Sequence, residues 1–107
     1  MTIDVNFFEN LSDDLKRTVS DASKAIMDVY ERNTFDTEIK SDGSPVTEAD
    51  ENANKIIIQS LSLVTPDISI VSEETFDKSA EIPDDPYWLV DPLDGTKEFI
   101  NKSKDFT

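Results

Sequence analysis

Leu11, Leu15, Val19, Ala22, Ile26 and Val29 recur at steps of four and three, which draws one apolar stripe along a helix. Ser12 has the chemistry of an N-cap, and Asp13 and Asp14 follow in a first turn where the helix dipole favours anions. The pattern predicts a helix from Ser12 to about Glu31, ended by "RNTFD". A short strand is predicted at Glu38 to Lys40, and Gly43 and Pro45 make "SDGSP" a turn. Thr47 then stands as the N-cap of a second helix, with Ala49, Ala53, Ile56, Ile57, Leu61 and Val64 on its apolar side and Pro66 stopping it.

"DISIVSEE" predicts a strand from Ile68 to Ser72 that runs into Glu73 and Glu74. The acidic stretch "TFDKSAEIPDDPY", broken by Pro83 and Pro86, reads as a surface loop and the most mobile segment. "YWLV" predicts another short strand, then comes "DPLDGT", then a helical turn at "KEFI". The order is helix, short strand, helix, strand, strand, an α+β arrangement in which two helices cover one face of a sheet. After "KDFT" no further element covers the other face or pairs the edges, so the chain is expected to be the front part of a larger fold.

Composition narrows the chemistry. The 107 residues hold 24 Asp and Glu against 10 Lys and Arg, a formal charge of −14, which argues against nonspecific binding to a nucleic-acid polymer. Cysteine and histidine are both absent. That excludes disulfides, thiolate zinc sites, thiol nucleophiles, a Ser-His-Asp triad and an imidazole base. Chemistry must rest on carboxylates, hydroxyls, lysines or hard cations. No apolar run has the length of a membrane span and the N-terminus lacks signal-peptide character, so a soluble cytoplasmic protein is expected, with peripheral association at the inner membrane face left open.

"WLVDPLDGTKEFI" brings an apolar strand straight into two aspartates. Pro92 favours a tight turn after Asp91, across which Asp91 and Asp94, three apart, can point the same way. Carboxylates held that close repel, so that one pKa rises or a cation sits between them. Mg²⁺ suits such a pair, being held by one or two carboxylates plus substrate phosphate. The Leu93 carbonyl is a candidate third oxygen, and Gly95 and Thr96 present N–H groups to a phosphate. The plainer reading is that "DP" and "DG" are turn dipeptides and Asp94 caps "TKEFI". The second acidic strand end shifts the balance: Glu73 is the better ligand candidate and Glu74 a solvated loop residue. Thr47 with Asp50 resembles a capping box. The lysines of "IKSDG" and "GTKEF" could steady a phosphate or lie solvated on the surface.

"DGSPVTEAD", "IVSEE" and "WLVDPLDGTKEFI", in that order, resemble the inositol monophosphatase superfamily of Mg²⁺-dependent, lithium-sensitive phosphatases. "DPLDGTKEF" is similar to its 3'(2'),5'-bisphosphate nucleotidase branch, where inositol monophosphatases more often read Thr-Asn-Phe after D-G-T. The resemblance covers roughly residues 38 to 106 and implies the layered α/β fold of sugar phosphatases, here only its N-terminal helices and first strands in one incomplete domain. It implies that Glu73, Asp91, the Leu93 carbonyl and Asp94 bind metal, with Asp91 bridging two Mg²⁺ ions. Leu93, Asp94, Gly95 and Thr96 would hold the substrate phosphate. Asp50 would orient the Thr96 hydroxyl, and Thr96 with Glu73 would position and activate the attacking water. The implied substrate is adenosine 3',5'-bisphosphate, hydrolysed to AMP and phosphate, or its sulfated analogue PAPS, which places the protein in sulfur metabolism. Family members are longer and carry a further metal-binding aspartate in a W-D motif; with that motif absent, this chain is expected to be inactive alone. An inositol or sugar monophosphatase is the alternative within the superfamily, and a non-catalytic acidic interaction module the alternative outside it.

Overall fold

The computed structural model describes residues 5–32, 37–39, 45–74, 83–103 and 105–107. Two helices lie side by side, α1 at Val5–Tyr30 and α2 at Glu48–Val64. Their buried faces meet through Ala22, Ile26 and Val29 on α1 and Ala49 and Ala53 on α2. The small alanine side chains of α2 allow close approach of the helices. A buried polar link joins them further along, between the hydroxyls of Thr18 and Ser60.

α1 begins at Val5, ahead of the predicted start, and Ser12 is an exposed interior position rather than a cap. The helix extends upstream because Phe7, half-buried, continues the stripe one turn before Leu11, and an interior Ser costs little. The stripe itself shifts by one residue at its middle. Thr18 is buried and Val19 is 61% exposed, because the face defined by Leu11, Ala22, Ile26 and Val29 passes through position 18.

β1 at Thr37–Ile39 starts one residue earlier than the pattern suggested, and Lys40, with the turn residues 41–44, lies outside the described residues. Pro45–Thr47 forms β2, which the sequence reading took as turn and cap alone. It pairs antiparallel with β1 in the register Glu38 to Val46. Val46 is buried, so β2 carries the apolar residue and β1 is exposed along its length.

β3 at Ser69–Ser72 and β4 at Tyr87–Val90 pair in parallel, Ser69 with Tyr87 through Ser72 with Val90. Two polar contacts, one buried and one half-buried, fasten this pair to α2. Trp88 Nε1 donates to Thr65 Oγ1 (2.9 Å), just past the end of α2, and the Ser72 hydroxyl donates to Asn54 Oδ1, near its start. The N-terminal end of α2 therefore lies at the C-terminal ends of β3 and β4. Thr65 in turn donates to the Leu61 carbonyl (2.9 Å), so the anchor for Trp88 is also the stop of the helix. Tyr87 and Leu89 alternate outward from this pair.

The short α3 at Thr96–Ile100 buries Phe99 completely against the α1–α2 core, with Leu93 beside it. The tail after α3 does not trail away, as a chain without a closing element would. Lys102 turns the backbone with a φ of 60°, and its ammonium donates to the carbonyls of Tyr30 and Arg32, capping the end of α1. The same ammonium lies 4.2 Å from the centre of the Tyr30 ring. Phe106 then stacks against Tyr30 and Phe99, with ring centres 5.0 and 5.1 Å apart. Residues 75–82 of the predicted mobile loop lie outside the described residues.

Candidate active site

Parallel pairing carries the acids of two strand ends to one place. Ser72 and Val90 are opposite one another, and the Glu73 N–H donates to the Val90 carbonyl (2.9 Å), so the ladder runs on one step to set Glu73 beside Asp91. Their side chains share a hydrogen bond. That contact favours the protonated form of Asp91, whose pKa is pushed up to about 6 from 3.8. Burial of the carboxyl's inner side contributes most, then the bond to Glu73, then the charges of Glu73 and Asp94. One effect opposes these: the Leu93 N–H donates to the Asp91 carboxylate, closing the turn that Pro92 begins. Pro92 and Leu93 are buried while Asp91 and Asp94 are exposed, so the turn is rooted in the core and offers its acids outward.

Asp50 is the second centre of the site. It sits in the first turn of α2, fully buried, and accepts three hydrogen bonds. Oδ2 takes the Thr47 N–H (2.8 Å) and the Thr47 hydroxyl (2.7 Å), while the Thr47 oxygen accepts from Ala49 N–H (3.1 Å). This is a capping box with Asp where Glu or Gln is usual. Oδ1 takes the Thr96 hydroxyl (2.9 Å) from the loop after β4. The capping reading and the hydroxyl-orienting reading of Asp50 are therefore compatible, one for each oxygen. With its proton committed to Asp50, the Thr96 oxygen can only accept from whatever approaches its half-exposed side.

Gly95 lies between the aspartates and Thr96 with a φ of 87°, in the left-handed region. A Cβ there would stand 3.1 Å from the Asp105 carbonyl oxygen and 3.3 Å from the Glu98 carboxylate and the Phe106 Cα. The loop thus needs glycine on both conformational and steric grounds.

The structure gathers Glu73, Asp91, Asp94, Thr96 and Asp50 around the C-terminal ends of β3 and β4 and the N-terminal end of α2. Glu74 is half-buried rather than solvated, its N–H turned toward the Ser72 hydroxyl (3.4 Å). Among the described residues no three acidic side chains converge closely enough to cage a cation by themselves. The donor set is all oxygen, and the raised pKa of Asp91 beside Glu73 and Asp94 marks a place where negative charge is crowded. Such a pair fits a hard divalent cation that completes its shell with water and substrate oxygens. An open groove of about 630 Å³ runs along α1, lined by Leu11, Ser12, Leu15, Lys16, Val19 and Ser20. Its lining comes from α1 alone and contains none of these groups.

Two contributions escaped the sequence reading. The Ser72–Asn54 bond fixes the last residue of β3 before Glu73, and two polar residues at helix and strand positions carry no local sign that they meet. The contacts of residues 105–107 with the aspartate turn were also missed, although the alternation of Asp105, Phe106 and Thr107 after a turn is a weak strand signal.

A model of the inositol monophosphatase family matches residues 9–107. Among curated proteins, the chain is 38% identical to the 3'(2'),5'-bisphosphate nucleotidase CysQ of Buchnera aphidicola, over 96% of this chain and 42% of that protein. It is 48% identical to CysQ of Salmonella typhimurium, over 80% of this chain and 36% of that one. The chain thus spans about two-fifths of the length of the curated relatives it matches. Among solved structures, the extragenic suppressor protein suhB of Bartonella henselae superposes with a TM-score of 0.75 at 27% identity, over 91% of this chain and 38% of that one. An IMPase of Thermotoga maritima superposes with a TM-score of 0.68 at 26% identity, over 88% and 37%.

Proposed function

This chain belongs to the inositol monophosphatase family, and from that premise we propose that the protein of which it forms part is a metal-dependent phosphatase. We propose further that it releases the 3'-phosphate of adenosine 3',5'-bisphosphate to give AMP, with PAPS as a second substrate. The observation that carries the phosphatase reading is the Thr96–Asp50 hydrogen bond, 2.9 Å long and spanning 46 residues, at the strand ends that hold the Glu73–Asp91 pair. The nucleotide preference is supported by the CysQ relatives, named as 3'(2'),5'-bisphosphate nucleotidases, at 38% and 48% identity. The 107 residues then correspond to the N-terminal part of a single larger domain.

Asp91, Asp94, Glu73 and the Leu93 carbonyl are the residues that would hold Mg²⁺, two or more ions in the intact protein. When bound, Mg²⁺ lowers the pKa of a water and offsets the charge of the phosphate. Below about pH 6 Asp91 keeps a proton that competes with a cation for its carboxylate. Thr96, its own proton held by Asp50, would accept a hydrogen bond from the attacking water, and Glu73 would take the one proton that the water gives up as it attacks. No imidazole is needed. Gly95 and Thr96 would present their N–H groups to the phosphate.

Phosphate release by the intact protein with Mg²⁺ tests the substrate. Turnover of adenosine 3',5'-bisphosphate is expected; turnover of inositol phosphate without it would replace this reading by the inositol monophosphatase one, which the solved relatives favour. A non-catalytic acidic module would be indicated if Asp91→Asn left Mg²⁺ binding unchanged.

A further inference from the structure

The turn that carries Asp94 is held from its outer side by residues 105–107. The Asp94 N–H donates to the Thr107 carbonyl (2.7 Å) and the Thr107 N–H donates to the Asp94 carbonyl (2.9 Å), so both backbone groups of one acidic residue are taken by one partner. The next residue, Gly95, leaves a gap where a side chain would be, and the Asp105 carbonyl and Phe106 Cα lie against it. Phe106 is anchored in turn: its ring packs on Tyr30 at the end of α1 and on Phe99 of α3. Phe99 is itself fully buried and belongs to α3, which begins directly after the turn. A line of packed groups therefore runs from the helix core, through Phe106, to the backbone of Asp94.

We propose that Phe106 and Thr107 are positioning residues for Asp94, holding its backbone so that its carboxylate is presented beside Asp91 before a cation arrives. The inference rests on the reading of Asp94 as a metal ligand. Asp94 is exposed, and its turn is rooted in the core on one side only, through Pro92 and Leu93. Without the outer clasp the left-handed Gly95 becomes a free swivel, and Asp94 must be ordered at the moment of binding.

The test compares Thr107→Pro, which removes the N–H that bonds to Asp94, with Thr107→Ala, which keeps it; the Thr107 side chain is exposed and neither change opens the core. Two readouts are taken on the whole chain: hydrogen exchange of the Asp94 amide by NMR without metal, and Mg²⁺ affinity by calorimetry. Thr107→Ala should behave as the unsubstituted chain. Thr107→Pro should exchange faster at Asp94 and bind Mg²⁺ about tenfold more weakly or worse, the range for groups that support a metal ligand from outside. Phe106→Ala should do the same and Phe106→Tyr should restore both, with the thermal midpoint of Thr107→Pro near that of Thr107→Ala. Equal exchange and equal Mg²⁺ affinity in the proline and alanine variants would overturn the positioning role alone. Absence of saturable Mg²⁺ uptake by the unsubstituted chain overturns the metal reading of Asp94 and this role with it.

Discussion

Asp91 is the residue whose environment makes the sharpest demand. Its carboxyl is held at a pKa of about 6, against 3.8 when unfolded, so between those values the folded chain keeps a proton the unfolded chain has lost. The stability this confers is full below pH 3.8 and is lost as pH rises through 6. Without Mg²⁺, Asp91→Asn should therefore melt higher than the unsubstituted chain at pH 7.5, with the advantage gone below pH 4; thermal scans across that range check the sign. Mg²⁺ binding should show the opposite trend, strengthening as pH rises through about 6 and releasing protons below it, as calorimetry in buffers of different ionisation heat would reveal. Asp50 makes a different demand, since both its oxygens face donors. Asp50→Asn would set an amide NH₂ against one of them, and a loss of about 1.5–3 kcal/mol is expected from urea unfolding, the scale of hydrogen bonds to a charged group.

Elements matter here through how their ends are fixed. α2 is tied to the parallel strands at both ends, by Thr65–Trp88 and by Asn54–Ser72, and this sets the height at which Glu73 leaves β3. Ser72→Ala strands the Asn54 oxygen in a buried position; a loss of about 1–3 kcal/mol in urea unfolding is expected. α3 is short and has no side-chain cap, so its helical geometry depends on Phe99 being buried under α1 and α2. Phe99→Ala should cost about 3–5 kcal/mol in the same measurement, as for a large core truncation. The helices were legible from spacing, yet the start of α1 and its middle were misplaced, because Ser12 offers cap chemistry that a longer helix does not use and Val19 continues an arithmetic that the real face does not follow. β2 was illegible since three residues around a proline have too little pattern to declare a strand without their partner.

At the scale of the molecule, a formal charge of −14 and the crowding of Asp91 by Glu73 and Asp94 both point toward cation uptake. Binding to the folded state alone stabilises by mass action, about 2.7 kcal/mol at a hundredfold excess over Kd. The thermal midpoint should thus climb with Mg²⁺ beyond what NaCl of equal ionic strength produces, and Asp91→Asn should remove that excess while keeping the general salt effect.

The sequence alone carried whatever depends on neighbours along the chain. The apolar periods of two helices, the Thr47–Asp50 cap, the acids at two strand ends and the exclusion of imidazole and thiol chemistry all follow from local spacing and residue type. Three relations lie beyond local spacing and residue type, the second of them implied beforehand by the family resemblance. These are the parallel register that sets Glu73 beside Asp91, the reach of Asp50 across 46 residues to Thr96, and the clasp of Thr107 on Asp94. Each joins polar groups that give no periodic signal, and each exists only because apolar faces elsewhere, chiefly Ala49, Ala53, Val29 and Phe99, bring their segments together. Hydrophobic burial is non-directional and decides which surfaces meet; the short-range polar contacts then register the strand ends to the hydrogen bond.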